Sequence, residues 1–64
     1  MQTDTILTIL SNETGIDRNK LLITAAEKWP TLIRINAYLP IRMIQHFQDM
    51  VMMEVVKREI GWVK

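Results

Sequence analysis

A chain of 64 residues without a single cysteine has few ways to hold itself together. At this length folding buries only about 60% of the surface that the unfolded chain exposes, so stability is marginal without help. Small domains find that help in disulfides, a bound metal or a second subunit. The missing thiols remove disulfides and thiolate zinc sites together, and agree with a reducing compartment. A single histidine cannot build a metal site alone. Oligomerisation is therefore the expected support, and no metal or other cofactor is expected.

Eight Lys and Arg stand against seven Asp and Glu, a net charge of +1. Nucleic-acid binders are usually more basic, because phosphate neutralisation supplies much of their affinity. The distribution of charge thus matters more than its sum. The start, Met1-Gln2-Thr3-Asp4, has neither the basic region nor the apolar run of a signal peptide. No apolar stretch approaches the roughly 20 residues that cross a bilayer. The expectation is a soluble, cytoplasmic protein with no membrane partner.

Ile6, Leu7, Ile9 and Leu10 form a helical stripe within Thr5 to Ser11, with Thr3 or Asp4 available as its N-cap. Gly15 is a natural left-handed position to end that helix. Asp17 can cap a second helix from Arg18 to about Lys28, whose apolar residues are Leu21, Leu22, Ala25 and Ala26. Trp29-Pro30 ends it, since a residue before proline is pushed out of the α region. Over Thr31 to Leu39, Arg34 and Asn36 alternate with Ile33, Ile35 and Ala37, the period of a half-buried strand. Pro40 then suits the first position of a last helix running to about Glu59, before Gly61. The expected fold is mainly α: a helix-turn-helix, a short strand or abbreviated wing, and a long C-terminal helix. One domain, 1–64, would comprise a helix-turn-helix over 1–30, the strand over 31–39 and the helix over 40–60.

Two helices joined through a Gly-containing turn have the sequence shape of a helix-turn-helix. Ile16 and Leu21 would pack the pair together, with Arg18, Asn19, Lys20 and Thr24 facing outward. Arg reaches guanine, Asn reaches adenine, and Lys and Thr hold phosphates. Ordinary bundles also join amphipathic helices through Gly, and Asp17 sets a negative charge beside the supposed phosphate.

A longer match strengthens this assignment. The runs Thr14-Gly15-Ile16-Asp17-Arg18-Asn19-Lys20-Leu21, Trp29-Pro30-Thr31-Leu32-Ile33-Arg34-Ile35 and Leu39-Pro40-Ile41-Arg42-Met43-Ile44-Gln45-His46-Phe47 resemble the excisionases and related Cox proteins of temperate phages. The resemblance covers about residues 7–47. It implies a helix-turn-helix, a turn through proline into a strand and wing, and a further helix opened by proline. It also implies double-stranded DNA as partner, with Arg18, Asn19, Lys20 and Thr24 toward the major groove and Arg34 on the wing strand. The wing is abbreviated here, with only Asn36-Ala37-Tyr38 between Ile35 and Leu39. The implied function is a phage or prophage regulator that represses transcription, directs excision, or does both.

On the last helix, stepping about 100° per residue puts Ile44, Phe47, Val51 and Val55 on one face, flanked by Ile41 and Met52 and by Met43 and Met50. Arg42, Gln45, His46 and Asp49 lie opposite. In the second half Met53, Val56 and Ile60 fall on that formerly polar side. A helix apolar all round is buried all round, so Met50, Met53, Val56 and Ile60 are the expected oligomer interface. Trp29 and Trp62 are expected as core or interface anchors, and His46, Asp49 and Glu54 as ordinary surface groups. No nucleophile–base pair, phosphate loop or metal spacing is present, so an enzyme is not expected. Two alternatives remain. One is a small inhibitor or adaptor docking its last helix on a host or phage protein. The other is a ribbon-helix-helix dimer reading DNA through Arg34 and Asn36 on its strand.

Overall fold

Gly15 adopts φ +77°, and its N–H donates to the Ser11 carbonyl at 2.8 Å, ending the first helix as a single-bond left-handed cap. The Ser11 hydroxyl donates to the Ile16 carbonyl at 2.6 Å, and the Thr14 hydroxyl donates to Leu10 while accepting from the Ile16 N–H. These four hydrogen bonds fix a three-residue turn. The computed structural model describes residues 1–61, in which four helices follow in order: α1 Thr3–Thr14, α2 Arg18–Lys28, α3 Pro30–Arg34 and α4 Ile41–Glu59. The mainly helical fold with a long C-terminal helix is as the periodicity implies. Trp62 lies outside the described residues.

Helices α1 and α2 each touch all three others, and α2 does so more extensively. Its N-cap is Asp17, whose carboxylate accepts the Asn19 N–H at 3.1 Å. The core consists of Ile6, Leu7 and Leu10 from α1, Leu21 and Ala25 from α2, and Phe47, Val51 and Val55 from α4. Trp29 packs on its edge, its ring centroid 5.5 Å from that of Phe47 at 50°. Helices α2 and α4 run in opposite senses, since Lys20 at the start of α2 pairs with Glu59 and Trp29 meets Phe47. Two further ion pairs join them, Glu27 with Arg58 at 2.5 Å and Lys28 with Glu54 at 3.7 Å.

The expected strand over 31–39 does not form. Residues 30–34 are helical instead, and an isolated bridge between Gln2 and Tyr38 is the β pairing among the described residues. Pro30 explains the difference. It ends α2 through its effect on Trp29, yet its fixed φ is also suited to the first position of a new helix. Leu32 and Ile33 then turn to the core side by side, which a strand, with alternating faces, cannot do.

Helix α3 stops at Asn36, the one described residue other than glycine with positive φ, at +49°. The Asn36 N–H donates to Ile33 and the Ala37 N–H to Leu32, the double bond of a Schellman cap. The following segment closes the start of α1. The Asn36 Oδ1 accepts the Asp4 N–H at 3.0 Å, and the Ala37 carbonyl accepts both the N–H and the hydroxyl of Thr3. Met1 and Leu39 exchange two bonds of 2.8 Å. Thr3 and Asp4 are thus inside α1, and its N-cap is Gln2, which makes no side-chain cap. The orphan N–H groups of α1 are satisfied from the far side of the chain rather than by the expected local cap. Likewise Pro40 is the N-cap of α4, one position before the place expected for it.

Candidate nucleic-acid interface

The first turns of α2 carry the residues that the sequence offers to DNA, and the fold gives each a different fate. Arg18 is half-buried and bends back onto α1: its Nε donates to the Thr8 hydroxyl at 2.7 Å and its guanidinium to the Asp4 carbonyl at 3.3 Å. Lys20 is exposed but ion-paired with Glu59 of α4. Thr24 is only 3% exposed, so it does not face outward as expected. At 100° per residue it falls on the same arc as Leu21 and Ala25, and its small side chain fits that interior. Asn19 alone of the four is exposed and carries no side-chain bond among the described residues. The outer surface of α2 continues with Ile23 and Glu27, an apolar and an acidic group.

The remaining candidate, Arg34, ends α3 and is exposed. It has company that sequence reasoning passed over. Arg42 stands exposed in the first turn of α4, and neither arginine has an ion pair among the described residues. Between them Ile35, Tyr38 and Ile41 project into solvent, 62%, 72% and 85% exposed. The signal was present in the sequence: from Lys28 to Gln48 there is no Asp or Glu. The fold brings Asp4 to this end through its backbone bond to Asn36. Every other described cationic side chain makes an ion pair or, for Arg18, hydrogen bonds within the chain.

The expected oligomer residues divide. Met53, Val56 and Ile60 are exposed on the outer side of α4. Met50 is half-buried and turns instead to a groove of about 290 Å³ that it lines with Trp29, Leu32, Leu39, Met43 and His46. On the inner face Phe47, Val51 and Val55 are buried as expected and Ile44 is half-buried, whereas Ile41 at its flank is almost fully exposed. Asp49 accepts a hydrogen bond from Gln45, and Glu54 sits between Lys28 and Lys57. Among the described residues no group of three His, Cys, Asp or Glu could hold a metal, and no helix is long and apolar enough to cross a membrane.

Comparison with protein-family models, with curated proteins and with solved structures finds no match to this chain. The resemblance to excisionase and Cox proteins therefore rests on the quoted residues alone.

Proposed function

We propose that the chain is a small non-enzymatic module that binds double-stranded DNA, with the link between α3 and α4 as its main phosphate-contacting surface. The observation that carries this is charge distribution: the unpaired arginines Arg34 and Arg42 flank an acid-free stretch that also exposes Tyr38. Arginine's planar fork suits phosphate oxygens, and cations already tied within the chain would have to break those bonds first. The Gly15 turn and the exposed Asn19 near the start of α2 support base contact from the second helix of a helix-turn-helix. Repression or excision of the excisionase kind is the finer form of this proposal. The ribbon-helix-helix alternative loses the strand it depended on.

Titration of a fluorescent random-sequence duplex at several salt concentrations tests it. Arg34→Ala and Arg42→Ala should each weaken binding and lower the salt slope by about 0.9. Absence of any salt-dependent binding by the natural chain would overturn the proposal. One observation favours a second assignment, a protein-binding adaptor: exposed Ile35, Tyr38 and Ile41 beside arginine match the composition of protein–protein contact sites. For that assignment a salt-insensitive partner would be lost with Tyr38→Ala and Ile41→Ser.

A further inference from the structure

The outer side of α4 changes character halfway along. Arg42, Asp49, Met53, Val56 and Ile60 fall within about 60° of one another at 100° per residue, and all five are exposed. This line lies away from the face that buries Phe47, Val51 and Val55. It begins charged and ends as an apolar stripe of Met53, Val56 and Ile60, with half-buried Met52 beside it.

We infer that this stripe is covered by the same stripe of a second copy, with the two α4 helices antiparallel and crossing at Val56. The inference does not depend on DNA binding. Three observations select a second copy as occupant. The charges beside the stripe are already neutralised within the chain: Glu54 by Lys28 and Lys57, Glu59 by Lys20, Arg58 by Glu27. Two identical faces can therefore meet without a net like-charge cost. Among the described residues the core holds eight buried apolar side chains, the situation in which small domains recruit a second subunit. The stripe is also self-complementary about its middle, since an antiparallel crossing at Val56 brings Met53 within one residue of the level of the partner's Ile60, and does so twice, as a two-fold axis requires.

The charged half of the line fixes the direction. Parallel pairing in register would set Arg42 on its own copy and Asp49 on its own copy, two like-charge contacts on the contact line itself. In the antiparallel pair both residues lie beyond the apolar overlap. Opposed helix dipoles add to the preference.

The chain has no native cysteine, so single cysteines report the geometry directly. A disulfide needs Cβ atoms about 3.5–4.5 Å apart. Light scattering of the natural chain should give twice the monomer mass. Val56→Lys, at an exposed position, should leave the helical circular dichroism intact and raise the dissociation constant at least about tenfold, because it sets a charge in an apolar contact. Under mild oxidation Val56→Cys should link to itself. Met53→Cys and Ile60→Cys should link efficiently only when mixed with each other, because the antiparallel crossing separates each from its own copy by about 10 Å along the axis, at 1.5 Å rise per residue. A monomeric mass at high micromolar concentration would overturn the inference. So would self-linking of Ile60→Cys in place of the mixed product, or a Val56→Lys chain that stays helical and as dimeric as the natural one.

Discussion

Arg18 and Lys20 at the start of α2, and Arg34 and Arg42 around the α3–α4 link, have the same chemistry and opposite circumstances. The first two are engaged within the chain, Arg18 with Thr8 and Asp4 on α1 and Lys20 with Glu59 on α4. The second two have no ionic partner among the described residues. The difference follows from position. Helix α2 is the central element, and its surface residues have neighbours on either side. The link instead lies at an end of the bundle whose own sequence from Lys28 to Gln48 has no acid. The fold brings Asp4 to that end, but Asp4 pairs with neither arginine. Motif spacing alone points to α2 for DNA contact. Tertiary packing moves the available charge elsewhere, because a cation already bonded offers less to a phosphate than one held only by water.

If α2 serves mainly to hold the bundle together, damage to its inward face should have the largest effect of any single change. Leu21 is fully buried in the cluster that joins α1, α2 and α4. Leu21→Ala should cost about 2–5 kcal/mol, the range for a leucine truncated in a core. Typical domain stability is about 5–15 kcal/mol, and a chain this short sits toward the lower end. Urea denaturation followed by circular dichroism should therefore find the variant largely unfolded or with a sharply lowered midpoint. A loss under about 1 kcal/mol, well short of that range, would mean that α2 is not the central element.

The link has a structural duty of its own, borne by Asn36, and the next largest effect belongs there. Asn36→Ala removes the side-chain acceptor for the Asp4 N–H and places an alanine at positive φ. Together these should cost about 1–2 kcal/mol. Asn36→Gly removes the acceptor but relieves the backbone, so its loss should be less than about 1 kcal/mol. Equal losses in the two variants, measured by the same denaturation, would assign the whole effect to the cap and none to the turn.

These two residues also mark what could be read in advance. Leu21, the Asp17 cap, the Gly15 turn and the bounds of α2 were legible because each rests on local chemistry: a helical repeat, a carboxylate near free N–H groups, a left-handed glycine. The inner face of α4 and the exposed Met53, Val56 and Ile60 followed from periodicity in the same way. Asn36 was not legible as a cap, because the helix end it closes lies 32 residues away. The strand was misread because five residues of alternating polarity satisfy a period of two as easily as one turn and a half of helix. For the candidate site, residue type selected Thr24 as a phosphate ligand while the arc shared with Leu21 and Ala25 buried it. Arg42 was overlooked for the opposite reason. Its significance lies in the acids missing around it, which no motif encodes.

The smallest effects provide the sharpest contrast between the two arginine environments. Arg18→Ala removes two hydrogen bonds to α1 and should lower stability by about 1 kcal/mol. Arg34→Ala, exposed and without an ion pair, should change it by less than about 0.5 kcal/mol, as most surface substitutions do. Lys20→Ala falls between them in structure but close to Arg34→Ala in energy. Both partners of its pair with Glu59 are about half exposed, and pairs of that kind contribute roughly 0–1 kcal/mol before screening by salt. The order of the three should reverse when DNA binding is measured instead of unfolding: Arg34→Ala weakest, Lys20→Ala intermediate, Arg18→Ala nearest the natural chain. The reversal matters more than any single value, since a general loss of folded protein would lower binding in the same order as stability. If Arg18→Ala binds DNA most weakly while circular dichroism shows all three variants equally folded, the DNA contacts belong back on the start of α2.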